Sequence, residues 1–140
     1  MSKELRFFDK VNNRLVYISS EATNDYWDDH WENDKFEKMI KITSNKFISS
    51  NTKKYLNKGS RILEGGCGRG QNVYLLQNQG YEVIGIDYAY KTVNKVNEVV
   101  PEIQVQLGDV RKLEFEANSF DGYWSLGVIE HFYNGYDDIA

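Results

Sequence analysis

One segment restricts the possible fold of this chain more than any other: a short apolar run that leads into a cluster of glycines. The run Arg61-Ile62-Leu63-Glu64 predicts a strand, and Gly65-Gly66-Cys67-Gly68-Arg69-Gly70 follows it directly. Val73, Leu76 and a terminal Gly80 then indicate a helix. A glycine-rich turn between a strand and a helix lets the backbone approach a ligand, and the start of the helix favours an anion. We therefore predict a ligand-binding loop.

The same alternation of strand and helix continues toward the C-terminus. A second strand is predicted at Glu82–Asp87, and a helix face at Ala89, Val93, Val96 and Val100 ends before Pro101. The third and fourth strands are predicted at Gln104–Asp109 and Phe120–Leu126. Strands that alternate with helices in this way form βαβ units, so the sequence predicts an α/β fold with a mostly parallel sheet and helices on both faces.

The N-terminal region has a different pattern. Residues 5–8 and 14–18 flank an Asn-Asn pair and predict a hairpin, and residues 33–48 have the spacing of an amphipathic helix that weakens at 49–52. We expect one structural domain overall, in which residues 1–58 form a hairpin and helical cap and residues 59–140 form the ligand-binding core. The length of 140 residues suits one domain.

Composition excludes several classes of protein. An aromatic content of 14% argues against a disordered chain, and no apolar run approaches the roughly 18 residues that span a membrane. Met1–Arg6 lacks the apolar stretch of a signal peptide. The net charge of −4 and the absence of a basic stripe disfavour nucleic acid as the main partner. The single cysteine excludes a disulfide framework and predicts a cytoplasmic location.

The candidate metal ligands do not cluster in the sequence. Cys67, His30 and His131 are scattered along the chain, so we expect no zinc site.

The glycine loop does not fit a phosphate ligand. The dinucleotide pattern G-x-G-x-x-G/A fails whether it starts at Gly66 or at Gly68, and the G-K-[ST] phosphate loop is absent. These failures disfavour a nicotinamide-dependent oxidoreductase. Glu64 precedes the spaced glycines and would repel a pyrophosphate, but a carboxylate there suits a ligand that carries an ammonium group. An amino acid offers both signs, because its carboxylate suits the helix start.

Two further acidic residues stand at the C-terminal ends of predicted strands two and three. Asp87 can accept hydrogen bonds from two ribose hydroxyls, and Asp109 can accept one from an exocyclic adenine amine. An amino acid, a ribose and an adenine together describe S-adenosylmethionine. The alternative is that either carboxylate only caps the helix that follows it.

Residues 61–132 resemble a class I S-adenosylmethionine-dependent methyltransferase of the group often labelled methyltransferase type 11. The resemblance rests on four pieces in order: Ile62–Gly70, Val83–Asp87, Gly108-Asp109-Val110, and Phe120–Ser125 with Gly127–Phe132. It implies a Rossmann-like fold, S-adenosylmethionine as cofactor with S-adenosylhomocysteine as product, and transfer of a methyl group. Small metabolites are the favoured acceptors, although the sequence names neither the acceptor nor a catalytic residue.

The resemblance also implies the residues around the cofactor. Glu64, Gly66 and Gly68 would surround the methionine part, Asp87 the ribose, and Asp109 with Val110 the adenine. The backbone near Ser125 and Leu126 would close on the methionine end, and an N-terminal aromatic helix would supply Tyr26 and Trp31. The full predicted cofactor-binding set is Glu64, Gly66, Cys67, Gly68, Asp87, Tyr88, Asp109, Val110, Ser125, Leu126, Tyr26 and Trp31. For Tyr26 and Trp31 a packing role is equally open, Cys67 also suits a small buried filler, and His131 suits a general family feature better than a base.

Two departures from the family stand out. Gly65 occupies a position that is usually apolar, which predicts a locally weaker first strand. The family sheet has seven strands in the order 3-2-1-4-5-7-6, and this sequence supplies only the first four, so we expect the methyltransferase order truncated after the fourth strand. The fourth strand would then be an exposed edge, covered by a homodimer, by strand exchange or by the N-terminal hairpin. The alternative function is a catalytically silent cofactor-binding module.

Overall fold

Four parallel strands form the main sheet of the computed structural model, which describes residues 5–18, 36–42 and 44–131. Along the chain, the strands are β1 (Leu5–Asp9), β2 (Arg14–Ile18), β3 (Arg61–Gly65), β4 (Glu82–Asp87), β5 (Gln104–Leu107) and β6 (Gly122–Ser125). The helices are α1 (Phe36–Ile40), α2 (Lys46–Tyr55), α3 (Gln71–Asn78) and α4 (Tyr90–Val99), followed by a single 3-10 turn at Ile129–His131. In the described residues, no helix has the length and apolar character needed to cross a bilayer.

The sheet order is β5-β4-β3-β6, and every neighbouring pair is parallel. Numbered from the first strand of the core, this is the order 3-2-1-4, so the predicted Rossmann-like topology is confirmed over its first four strands. Parallel neighbours place the carboxyl ends of all four strands along one edge of the sheet. Ligands of open α/β sheets bind outside that edge.

The two faces of the sheet are covered differently. The larger buried cluster joins residues of all four helices to one face, with Ile40, Ile48, Leu76 and Val96 fully buried. The smaller cluster on the other face consists of Leu63, Ile86 and Val110, with Phe115 and Phe120 from the β5–β6 connection packed against it. Within the described ranges, helices therefore line one face only, because the β5–β6 connection contains no helix.

The prediction of a single helix over residues 33–48 is wrong. In this region the described residues form two helices, of which α1 ends at Ile40 and α2 begins at Lys46, and α2 continues through the polar run at 49–52. Asn45 caps α2 by accepting from the N–H of Ile48 at 3.3 Å. The hydroxyls of Ser50 and Thr52 donate back to the carbonyls of Lys46 and Ile48, so these side chains satisfy their own hydrogen bonds inside the helix.

The N-terminal hairpin is confirmed, with Phe8 opposite Leu15 across the antiparallel pair. It forms its own two-stranded sheet and does not pair with β6. Among the described residues, the hairpin therefore does not extend the main sheet at that edge.

Helix α2 partly covers β6 instead. Trp124 donates its indole N–H to the hydroxyl of Thr52 at 3.0 Å, and its ring meets Phe47 edge to face at a centroid distance of 5.9 Å. Tyr123, on the opposite face, stays 48% exposed. As a result, the edge strand is anchored on one face and open on the other.

Gly65 fits closely against its neighbours. A Cβ atom at this position would clash with the Tyr123 hydroxyl and lie 2.8 Å from a methyl group of Val110. The strand keeps its register, since Gly65 lies opposite Ile86 on one side and Ser125 on the other. Tyr123 and Val110 thus fill the space that an apolar side chain would take.

Candidate functional site

The predicted site residues lie where the carboxyl ends of the parallel strands meet. Glu64 is the second-last residue of β3, Asp87 is the last residue of β4, and Ser125 is the last residue of β6. The N–H of Gly108 donates to the carbonyl of Asp87 at 3.0 Å, which connects the end of β5 to the same edge. Three of the four strands thus place a polar side chain at this edge, and the loop after β5 adds Asp109.

The glycine loop folds back over the end of β4. The N–H groups of Gly66 and Cys67 both donate to the carbonyl of Ile86, at 2.9 and 3.0 Å. Gly66, Gly68 and Gly70 have φ angles of 70°, 52° and 72°, a region that residues with a Cβ rarely adopt. The spacing of the glycines is therefore required by the turn itself, and Gly70 immediately precedes α3.

Asp87 connects the glycine loop to the following helix. Its carboxylate accepts from the N–H of Gly68 at 2.8 Å and from the N–H of Ala89, just before α4, at 2.9 Å. The side chain is buried. Asp87 does not cap α4, because the N-cap residue is Ala89 and the helix has no side-chain cap. Its hydrogen bond from the Ala89 N–H closes a turn before the helix and fixes the carboxylate at the strand end. Each oxygen of a carboxylate can accept more than one hydrogen bond, so an oxygen that accepts from a backbone N–H can also accept from a hydroxyl.

Glu64 is a buried carboxylate, only 3% exposed. Its Oε1 accepts from the side-chain amide of Asn72 at 2.8 Å, whereas Oε2 is buried without a hydrogen bond. Burial raises the pKa of Glu64 to about 7, and the Asp87 charge adds to the rise. The Asn72 amide and the backbone N–H of Val73 oppose it. A buried carboxylate with one unsatisfied oxygen is suited to a cationic group of a ligand.

Asn72 is a site residue that the sequence analysis missed. It lies in the first turn of α3, 9% exposed, and its Oδ1 accepts from Asn45 at 3.4 Å while its amide donates to Glu64. The one available signal was a poor helix former inside a predicted helix. The contact with Asn45, 27 residues earlier in the chain, could not be read from the sequence.

Asp109 is held by a neighbouring cation that the sequence analysis also missed. Arg111 donates to both carboxylate oxygens, the shortest contact being 2.7 Å from Nη2 to Oδ2, and it keeps the pKa of Asp109 below its usual range. The segment after Asp109 is a turn rather than a helix, so the helix-capping alternative is wrong for this residue. Val110 is buried beside Leu63 and Ile86.

The remaining predicted site residues differ in their solvent exposure. Cys67 is buried in the larger cluster, which agrees with a filler, and burial raises the pKa of its thiol well above its usual value. Tyr88 and Ser125 are half-buried at the strand ends, while Leu126 is 42% exposed. Tyr26 and Trp31 lie outside the described residues. His131 is exposed in the 3-10 turn.

A separate groove lies between α2 and β6. It has a volume of about 310 Å³ and is lined by aromatic and polar residues that include Phe47, Tyr55 and Trp124. None of its lining residues belongs to the glycine loop or to the other predicted cofactor-binding positions.

Comparison with known proteins identifies a family whose model matches this chain. Residues 63–139, more than half of the chain, match the family model described as "Methyltransferase domain". A protein of Mycolicibacterium smegmatis described as a "Probable S-adenosylmethionine-dependent methyltransferase" is 33% identical over 76 residues. That match covers 54% of this chain and 30% of the relative, so the chain spans about a third of the length of the curated relative.

Solved structures share the fold at low identity. Magnesium protoporphyrin IX methyltransferase from Synechocystis PCC 6803, solved with bound SAM, has a TM-score of 0.54 and 21% identity, over 78% of this chain and 62% of that one. A candidate methyltransferase solved in complex with the Haloferax volcanii Trm112 methyltransferase activator has a TM-score of 0.57 and 17% identity, over 84% of this chain and 50% of that one.

Proposed function

The chain belongs to the methyltransferase domain family, and on that premise we propose that it binds S-adenosylmethionine and transfers the methyl group to an acceptor. The observation that carries the proposal is the buried, unsatisfied Oε2 of Glu64 beside the glycine loop. An ammonium group would satisfy this oxygen and favour the charged carboxylate. The residues present therefore fit the amino-acid part of the cofactor.

Each strand end has a proposed role. Glu64 accepts from the ammonium group, Asp87 accepts from the ribose hydroxyls, and Asp109 with Val110 recognises the adenine. Support for the second role is the rigid placement of the Asp87 carboxylate by two backbone N–H groups. The backbone at Ser125 and Leu126 is proposed to border the methionine end, and Gly66, Cys67, Gly68 and Tyr88 to contribute mainly by shape.

The cofactor supplies an activated methyl group on a sulfonium, and the protein binds and aligns it. The positive charge on sulfur is lost during transfer, so no strong acid is needed from the chain. We propose a small molecule as acceptor and a cytoplasmic location; no catalytic base is assigned, and His131 is exposed.

Calorimetric titration of the 140-residue chain with S-adenosylhomocysteine tests the binding step, with NADH as the comparison ligand. Binding of the first ligand alone is the expected result. Asp87→Asn should weaken it by about 10-fold, because a side-chain amide loses one acceptor oxygen. Asp121→Asn is the matched control, since Asp121 also accepts from a backbone N–H, that of Arg61, but outside the predicted cofactor-binding set. Equal affinity for NADH, or no binding of either ligand, would overturn the proposal.

A turnover assay distinguishes an active methyltransferase from the alternative, a catalytically silent cofactor-binding module. Incubation with methyl-labelled cofactor and pools of small-molecule acceptors should give a labelled product if the chain is active. Tight binding of S-adenosylhomocysteine without label transfer to any pool would favour the silent module.

We also propose that a second copy of the chain covers the open face and edge of β6. Support comes from the exposure of Tyr123 on that face and from the position of β6 at the end of the described sheet. Sedimentation should then show a dimer, with slow amide exchange in residues 122–125. A dilute monomer with fast exchange there would contradict the dimer.

A further inference from the structure

Two asparagines outside the predicted cofactor-binding set lead from the N-terminal helices to Glu64. Asn45 donates through Nδ2 to Oδ1 of Asn72 at 3.4 Å, and Asn72 donates through Nδ2 to Oε1 of Glu64 at 2.8 Å. Asn45 is itself held in place, because its own Oδ1 caps α2. These two hydrogen bonds thus connect the start of α2, through the first turn of α3, to the end of β3.

The direction of the Asn72 amide matters for Glu64. An amide side chain can present either its oxygen or its NH₂ group to a neighbour by a half turn. Asn45 offers a donor, so the oxygen of Asn72 turns toward it and the NH₂ group is directed at Glu64. Without that donor, the amide could turn its oxygen toward the carboxylate, and two acceptors would then face each other in a buried site.

The contact with Asn72 holds one oxygen of Glu64, and the backbone N–H of Val73 also favours the charged carboxylate. Oε1 is engaged, and Oε2 is buried without a partner. A carboxylate that rotated freely would not keep one oxygen available in a fixed direction.

We propose that Asn45 and Asn72 are positioning residues that orient Glu64 and keep its Oε2 available for the ammonium group of the bound amino-acid moiety. This inference rests on the proposed function, since it assumes a ligand with such a group. It assigns a binding role to the start of α2, which the sequence analysis placed in the helical cap.

The test compares two ligands that differ only at the end in question. S-adenosylhomocysteine carries the ammonium group, and methylthioadenosine lacks the amino-acid part. Asn72→Leu should weaken S-adenosylhomocysteine by about 10-fold and change methylthioadenosine by less than about 2-fold, because only the first ligand needs an oriented Glu64. Asn45→Ser should act in the same direction but less strongly, since serine keeps the helix cap and is too short to reach Asn72. Asn78→Leu is the matched control on the same helix, where the side chain donates only to the Tyr74 carbonyl.

A second experiment measures the pKa of Glu64 in the ligand-free protein. Carboxyl-labelled glutamate gives an NMR titration for each residue, and Glu64→Gln identifies the Glu64 signal. Loss of the Asn72 amide should raise the pKa of Glu64 by about one unit, because that amide stabilises the charged form. Among the described residues, Asp87 and Cys67 are the other titratable groups that face Glu64, and all variants retain both.

The outcomes are distinguishable. An unchanged Glu64 titration in both Asn72→Leu and Asn45→Ser, or equal weakening of the two ligands, overturns the positioning role. If Asn72→Leu does not fold, Asn45→Ser decides, because its helix cap is preserved. A wild-type chain that binds neither ligand overturns the proposed function, and the NMR titration still decides whether the two asparagines hold the carboxylate.

Discussion

Replacing Glu64 by glutamine should make the ligand-free protein more stable at neutral pH. The pKa of Glu64 rises from 4.5 to about 7, so the folded state binds a proton more tightly than the unfolded state does. The free energy of unfolding of the wild type is therefore highest below the unfolded-state pKa and falls as the pH rises through the folded-state value. At about 1.4 kcal/mol per unit, the loss between these values is about 3 kcal/mol.

Glutamine keeps the shape of the side chain and can still accept from Asn72. Its NH₂ group takes the place of the unsatisfied Oε2, and an unpaired buried donor costs about 1 kcal/mol. The expected net gain for Glu64→Gln is thus about 2 kcal/mol at about pH 8, with a small deficit at about pH 4.5. Binding of S-adenosylhomocysteine should weaken in the same variant, because the neutral amide does not pair with an ammonium group.

Urea unfolding followed by tryptophan fluorescence, repeated from about pH 4.5 to about pH 8, measures this difference. Glu98→Gln is the matched control, because Glu98 is exposed on α4 and its substitution should not change the shape of the curve. Parallel stability curves for the wild type and Glu64→Gln over that range would refute the reasoning. They would mean that ionisation of the buried Glu64 does not lower the free energy of unfolding.

Three further substitutions test other contacts. Asp87→Asn should lower the free energy of unfolding by about 1–2 kcal/mol in urea unfolding, because one of its two backbone hydrogen bonds is lost; no change would show that the loop does not depend on it. Gly65→Ala should cost about 1–3 kcal/mol, and addition of Tyr123→Ala should recover part of that cost, since the clash is with the Tyr123 hydroxyl. Additive effects in that double-mutant cycle would contradict the contact. Trp124→Phe should cost about 1 kcal/mol through the lost indole hydrogen bond and speed amide exchange in β6; unchanged exchange would argue against the anchoring of β6 by α2.

Much of the core could be predicted because its signals are local. The bounds of β4 agree with the predicted strand at both ends, and the spaced glycines predicted the turn that their positive φ angles require. The parallel order followed from the alternation of strands and helices, since right-handed crossovers leave few arrangements. A strand, a turn and a helix face each depend mainly on residues close in sequence.

Contacts between distant segments could not be predicted. The break before α2 is set by Asn45, whose side chain caps the helix and reaches Asn72 at the same time. The filling of the space at Gly65 by Tyr123 depends on the pairing of β3 with β6, and a glycine inside a strand predicts only a loss. The binding roles of Asp87, Asp109 and the other strand-end residues stay predictions, because only a ligand titration tests them.

The position of β6 has a consequence for the order of folding. Arg61 pairs with Glu82, whereas Ile62 pairs with Gly122, almost three times farther along the chain. Closing the longer loop costs about 1 kcal/mol more in chain entropy. The contacts that offset this cost, between Arg61 and both Ser119 and Asp121, form only when β6 arrives. The unit from β3 to β5 should therefore assemble first by local contacts, and β6 should dock last and be the first strand of the sheet to detach.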